Sequence, residues 1–260
     1  MRHLHLRDLL DARHRALQNL CGRGETRGVT RKLVLFDIDG TILLSAGAGR
    51  RSILAAIEGT VADPHTLPAI RFDGKTDPQI VIELLTAAGH PDPDQPERIV
   101  SVLEQYVKHL ELDLASNGHR SRVMPGIPSL LDALERQPGV LLGLLTGNVA
   151  PGARLKLRAA GLDPDRFRVG AYGSDHAERP CLPPIAVERA KPIVGRKLSG
   201  AEVVIIGDTP ADVACAASIG ARTIAVATGG FTVTELEAAG ADLVFADLSD
   251  TSRALEAILS

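Results

Sequence analysis

A single stretch, Leu33-Val34-Leu35-Phe36-Asp37-Ile38-Asp39-Gly40-Thr41, constrains this chain more than any other. Four consecutive apolar residues read as a strand buried on both faces, the habit of a central strand in a parallel sheet. Two carboxylates separated by one residue follow, and Gly40-Thr41 then breaks the strand and turns the backbone. A buried strand that delivers two acids to one place is costly, because like charges in a low dielectric repel. Either a cation or a proton resolves that conflict, or the acids sit in water as an ordinary turn.

The same pattern recurs downstream. Apolar runs at 140–145, 167–172, 203–206 and 223–227, with a shorter one at 243–245, read as further strands. Helical patterns at 127–136, 151–160, 184–191 and 211–219 fall between them. Strand–helix units of this length predict an α/β fold, a Rossmann-like doubly wound parallel sheet. Composition agrees. Aromatic residues make up 3% of the chain and Trp is absent, so the core must be built from Val, Leu, Ile and Ala. Too few rings are present to form a stacking platform for single-stranded nucleic acid. A net charge of −3 gives no reason to expect a polyanionic partner.

The alternation is interrupted once. No strongly apolar strand is read between 61 and 123, but two helices are, at 78–88 and 96–114, after a first helix at 50–58. Thr76 and Asp77 before Pro78 form a helix start, with Pro at the first helical position. The expected organisation is therefore a core of residues 33–47 and 123–260, with a small helical subdomain, 48–122, inserted into it. The small residues of 45–49 have the composition of a hinge. Residues 1–32, with an amphipathic pattern up to Leu20 and then a Gly- and Arg-rich linker, are expected to lie outside the fold. Cys21, Cys181 and Cys215 are far apart and odd in number, which fits a reducing cytoplasm. No apolar run approaches a membrane span and no secretory signal is read, so no membrane partner is expected.

Polar clusters follow the strands. Asp37 and Asp39 end the first, Thr146-Gly147-Asn148 the second, and Asp208 the fourth. In an open parallel sheet these strand ends share one rim, where ligands bind. Three carboxylates, a hydroxyl and glycine-rich turns on one rim describe a site for a hard cation and a phosphate. Mg²⁺ binds through a few carboxylates, with waters and phosphate oxygens completing its octahedron.

These three segments, Asp37-Ile38-Asp39-Gly40-Thr41, Leu145-Thr146-Gly147-Asn148 and Gly207-Asp208-Thr209-Pro210-Ala211-Asp212, resemble the first, second and fourth motifs of the haloacid dehalogenase superfamily. The helical insert resembles the α-helical cap that members carry between the first two. The resemblance implies Asp37 as the nucleophile that forms an aspartyl-phosphate, and Asp39 as general acid/base, with its backbone carbonyl in the metal shell. It implies Thr146 on a phosphoryl oxygen, Asp208 as a direct Mg²⁺ ligand, and Asp212 assisting directly or through a water. Thr41, Gly147 and Asn148 are carried over as substrate-binding candidates.

The third motif departs from the family, which places a Lys there. Here the region reads Gly173-Ser174-Asp175-His176-Ala177-Glu178-Arg179-Pro180. Arg179 keeps the charge and the following Pro, and Lys191 is the rival; Arg is a bidentate phosphate partner rather than a point charge. His176 reads as an exposed loop residue. Phe72-Asp73-Gly74-Lys75-Thr76-Asp77-Pro78-Gln79-Ile80 resembles the cap segment of phosphoglycolate-phosphatase-like members. Lys75 and Thr76 are therefore candidates to read a second anionic group on a small phosphorylated metabolite, 2-phosphoglycolate being the first to test. The expected activity is Mg²⁺-dependent phosphomonoester hydrolysis. A sugar phosphomutase uses the same two aspartates; a dehalogenase would need neither the acid at Asp39 nor a metal. A phospho-accepting signalling module would have no use for the insert.

Overall fold

The computed structural model describes residues 32–61, 67 and 70–260. The expected amphipathic segment and linker of residues 1–31 lie outside the described residues. A six-stranded sheet carries the fold, in the order β5-β4-β1-β6-β7-β8, with every neighbouring pair parallel. Its strands are β1 (Lys32–Phe36), β4 (Val140–Thr146), β5 (Val169–Tyr172), β6 (Val203–Gly207), β7 (Arg222–Val226) and β8 (Leu243–Phe245). β1 lies in the middle, with Phe36 level with Leu144 of β4 on one side and Ile206 of β6 on the other.

Alternate side chains of β1 feed two apolar layers, as the period of a strand requires. Val34 and Phe36 pack with α4 (Ile127–Glu135), α5 (Ala150–Ala159) and α9 (Thr251–Leu259). Leu33 and Leu35 pack on the other face with α6 (Leu182–Val194) and α7 (Pro210–Ala217). The sheet is doubly wound, as expected. Truncating a side chain such as the fully buried Phe36 to Ala would cost about 3–5 kcal/mol.

Among the described residues the insert between the first and second long strands carries three α-helices: α1 (Ala48–Glu58), α2 (Asp77–Ala87) and α3 (Pro96–Asn117). They share an apolar cluster built around Ile53, Ile57, Leu84, Leu85, Tyr106 and Leu110, and Val149 joins it from the core side. α3 also packs against α5. The chain leaves for the insert through β2 (Leu43–Leu44) and returns through β3 (Arg122–Val123), which pair antiparallel, Leu43 with Val123 and Leu44 with Arg122. This two-residue ladder was not expected from the sequence; so short a strand has no readable period.

Other departures have local causes. β5 begins at Val169 rather than 167, because Asp163 caps a 3-10 turn at Pro164–Arg166. α6 runs past Pro192 and stops at Gly195, whose left-handed backbone (φ 82) lets its N–H close on Lys191 O. α8 (Val233–Ala238) and α9 were not expected, yet both carry a side-chain cap, from Thr232 and Asp250. Among the described residues no helix is long and apolar enough to cross a membrane.

Candidate active site

The parallel register fixes where the acids go. Asp37 follows β1 directly, and its N–H still donates to Ile206 O at 2.9 Å, so the residue is held as a last rung of the ladder. It emerges beside Thr146 at the end of β4 and Asp208 just beyond β6. All three are at most 5% exposed. Asp37, Asp208 and Asp212 each offer a carboxylate oxygen within 4.8 Å of the others.

Each acid is held differently. Asp208 Oδ1 accepts from Thr41 Oγ1 at 2.9 Å. Two glycines press on its carboxylate: a Cβ at Gly40 would lie 2.2 Å from Oδ2, and one at Gly229 only 1.7 Å from it. Gly40 also has φ +91, a left-handed conformation that Gly adopts at little cost. Asp212 has both oxygens occupied. Its Oδ2 takes the Thr209 N–H at 3.0 Å and hydroxyl at 2.7 Å in a capping box at the start of α7. Its Oδ1 takes Arg179 Nη2. Arg179 comes from a 3-10 turn, Arg179–Cys181, is 5% exposed, and also reaches Asp37 Oδ1 at 3.1 Å. The buried thiol of Cys215 lies against the same guanidinium. Lys191, the alternative cation, is exposed on α6, and His176 is exposed in its loop. His176, Glu178 and Cys181 cluster in that same turn, but the His176 Nδ1 already accepts the Glu178 N–H.

Electrostatics follow from this crowding. Burial, reinforced by the charges of Asp212 and Asp39, pushes the Asp37 carboxyl up to about 6 against the pull of Arg179. Burial and the neighbouring Asp37 and Asp212 hold the Asp208 carboxyl well above the usual carboxylate range. The cluster is thus short of positive charge, and its donors are all hard oxygens. That is the donor set Mg²⁺ prefers, so the residues present fit such an ion.

Asp39 lies across the rim in a different setting, its side chain 40% exposed. Its Oδ2 accepts from Asn148 Nδ2 at 2.8 Å and from Lys156 Nζ at 2.6 Å. Asn148 in turn donates to Thr146 Oγ1 and accepts from Lys156, at 2.8 and 2.6 Å. Lys156 was missed in the sequence. Its only signal was a lysine one residue from the buried Leu157, on a helix that follows a motif strand.

The insert closes over this rim. A cavity of about 550 Å³ is lined by Asp37, Asp39, Thr146 and Lys156 from the core and by Arg50 and Lys75 from the insert. Gly147 and Asn148 also line it. A Cβ at Gly147 would lie 2.1 Å from Lys75 O, so only glycine allows the insert to approach this closely. The start of α2 is bolted to the second motif: Asp77 N donates to Gly147 O, and Val149 N to Asp77 Oδ2, both at 2.8 Å. Three candidates are placed otherwise than expected. Thr76 is fully buried, its hydroxyl donating to Ala177 O at 2.5 Å while accepting from Gln79 N. Thr41 faces Asp208 rather than the cavity. Lys75 borders the cavity but pairs with Glu83, which Gln79 also holds.

Comparison with known proteins follows the same residues. The family model for a haloacid dehalogenase-like hydrolase matches residues 31–220. The chain belongs to that family. Among curated proteins none matches it in sequence. Among solved structures, a hydrolase from Pseudomonas syringae has a TM-score of 0.67 and 22% identity, covering 88% of this chain and 100% of that one. CbbY from Rhodobacter sphaeroides, in complex with phosphate, has 0.63 and 21%, covering 84% and 95%. A predicted phosphoglycolate phosphatase from Haemophilus somnus 129PT has 0.62 and 20%, covering 89% and 99%. At this identity the likeness is one of fold. The helical insert and the rim lie inside the stretch that the family model matches.

Proposed function

We propose that this member of the family is a Mg²⁺-dependent phosphatase that hydrolyses a small phosphomonoester through an aspartyl-phosphate. The observation that carries the reading is the contrast between two acids on one strand end. Asp37 is buried against Arg179 with two further carboxylates beside it. Asp39 is more open and hydrogen-bonded on one oxygen only among the described residues. One suits a nucleophile and the other a proton carrier.

Asp37, Asp208 and the Asp39 backbone carbonyl would hold the ion, with Asp212, whose oxygens are both committed, acting through a water. Bound there, Mg²⁺ supplies the positive charge that lets a carboxylate approach a phosphate dianion. An Asp37 oxygen attacks phosphorus and the P–O ester bond breaks, while Asp39 gives its proton to the leaving oxygen. Asp39 then takes a proton from the water that attacks the phosphorus of the acyl phosphate. That bond to Asp37 breaks, inorganic phosphate leaves, and both acids return to their starting states. Arg179 and Thr146, which both line the cavity, hold the phosphoryl oxygens.

The cavity volume favours a small metabolite over a phosphoprotein. CbbY crystallises with phosphate and, as a variant, with xylulose-(1,5)-bisphosphate, and another neighbour carries a phosphoglycolate-phosphatase name. These support small anionic substrates here, with 2-phosphoglycolate the first to test. The test is phosphate release from a panel of small phosphomonoesters with Mg²⁺ and with excess EDTA. Release that requires Mg²⁺ is expected. Full activity in EDTA would overturn the metal assignment, and transfer of phosphate between sugar positions without release would favour a mutase.

A further inference from the structure

Lys156 brings a charge into the rim from outside every motif named above. It projects from α5 and is 4% exposed. Burying an ammonium costs several kcal/mol unless it is paired and hydrogen-bonded. Here it has two acceptors at 2.6 Å, Asp39 Oδ2 and Asn148 Oδ1. A mere tie between α5 and the first loop would be satisfied by either oxygen of Asp39. Instead both donors, Lys156 Nζ and Asn148 Nδ2, converge on Oδ2, and none of the described residues donates to Oδ1. A carboxylate has two equivalent oxygens; donors on one alone break that equivalence and stop its rotation.

The insert supplies the opposite wall. A Cβ at Gly49 of α1 would lie 3.1 Å from Lys156 Nζ and 3.8 Å from Tyr106 Oη. The Tyr106 hydroxyl is buried beside the carboxyl of Asp77, a second buried acid that feels the charge of Lys156. The ammonium is therefore fitted between the rim and the insert, and the bare backbone of Gly49 leaves the space it occupies.

We infer that Lys156 is the positioning residue for Asp39: with Asn148 it holds Oδ2, so that Oδ1 is the oxygen presented to the leaving group. This rests on the reading of Asp39 as the proton carrier. The ammonium pairs with Asp39 and not with Asp37, whose partner is Arg179.

The experiment compares kcat for an alkyl phosphate and for 4-nitrophenyl phosphate, both with saturating Mg²⁺. Nitrophenolate leaves without a proton, so a defect that acts through Asp39 must spare it. Lys156→Met keeps the length of the side chain and removes the charge. It is expected to slow the alkyl ester roughly 10- to 100-fold and the nitrophenyl ester less than about 3-fold, the scale of a misplaced catalytic group. Added to Asp39→Asn, it should slow the alkyl ester no further, because both changes remove one function. Equal losses on the two esters, or additive losses in the double variant, would overturn the assignment. If Lys156→Met does not fold, Gly49→Ala takes its place. It keeps the lysine, favours the helix, and crowds Nζ. The same selective slowing is expected, and an unchanged ester ratio would overturn the assignment. Asp39→Asn alone separates the two failures. If it leaves the ester ratio unchanged, the reading of Asp39 is wrong; if it shifts the ratio and the lysine variants do not, only Lys156 is wrongly placed.

Discussion

Removing Arg179 should destabilise the folded protein, by an amount that depends on pH. Arg179 is buried and bonded to Asp37 and Asp212, with Asp208 beside them. Arg179→Ala leaves three buried carboxylates without that cation. Removing one partner of a buried pair costs about 3–5 kcal/mol, which for a chain of this size is a fall in Tm of roughly 10 °C. The Asp37 carboxyl already stands at about 6, with Arg179 as the strongest influence pulling it down. Without that influence it rises further. An acid whose folded value lies above its unfolded one keeps its proton in the folded state while the unfolded chain has lost it. Stability is then highest below the unfolded value of 3.8 and falls as pH rises toward the folded one. In the variant the fall continues past pH 6, at about 1.4 kcal/mol per pH unit for the one proton retained. Between pH 5.5 and 7.5 the variant should lose about 3 kcal/mol and wild type, whose Asp37 gives up its proton near 6, about 1, so the penalty should grow by about 2 kcal/mol. Urea denaturation of wild type and variant in EDTA at those two pH values measures it. A penalty under about 1 kcal/mol at pH 7.5, or one equal at both, would refute the idea that Arg179 holds the cluster together.

Two further outcomes follow from the same geometry. Asp39→Asn should slow alkyl phosphates by about 10²- to 10⁴-fold and 4-nitrophenyl phosphate much less; steady-state kinetics on the two esters decides it. Gly229→Ala places a methyl where Asp208 Oδ2 now lies, at an ordinary backbone conformation. It should weaken Mg²⁺ activation at least about tenfold while circular dichroism stays as in wild type, since one ligand is displaced and nothing in the core is touched.

What the sequence made legible was whatever is decided locally. The strands announced themselves as apolar runs, and Asp37, Asp208 and Thr146 followed from standing directly after them. Arg179 was reached through the Pro that follows it, and the structure puts that side chain, not Lys191, on Asp37. The rest depended on which side chains meet across the fold. Lys156 reaches Asp39 over a sequence distance of 117 residues, and nothing near it in the chain signals that meeting. Gly229 backs Asp208 because the turn after β7 passes beside it. Lys75 looked like a free cation because Glu83, its partner, is two turns along α2, beyond the reach of a turn motif. Thr76 looked available for the same reason, its acceptor Ala177 lying in the loop after β5.

The small ladder of Leu43 with Val123 and Leu44 with Arg122 has a consequence for how such proteins diversify. The chain comes back to the sheet one strand's width from where it left. To the sheet, residues 45–121 are a closed excursion, and lengthening such an excursion adds only slowly to the entropy of closing it. The insert can therefore be rewritten without refolding the sheet that carries the rim. The freedom stops at a few points of attachment: Asp77 on Val149, Thr76 on Ala177, and the bare backbone of Gly49 beside Lys156. A replacement excursion that kept those points would leave Asp39, Asn148 and Lys156 bonded as they are, and one that set a side chain in place of Gly49 would crowd the Lys156 ammonium.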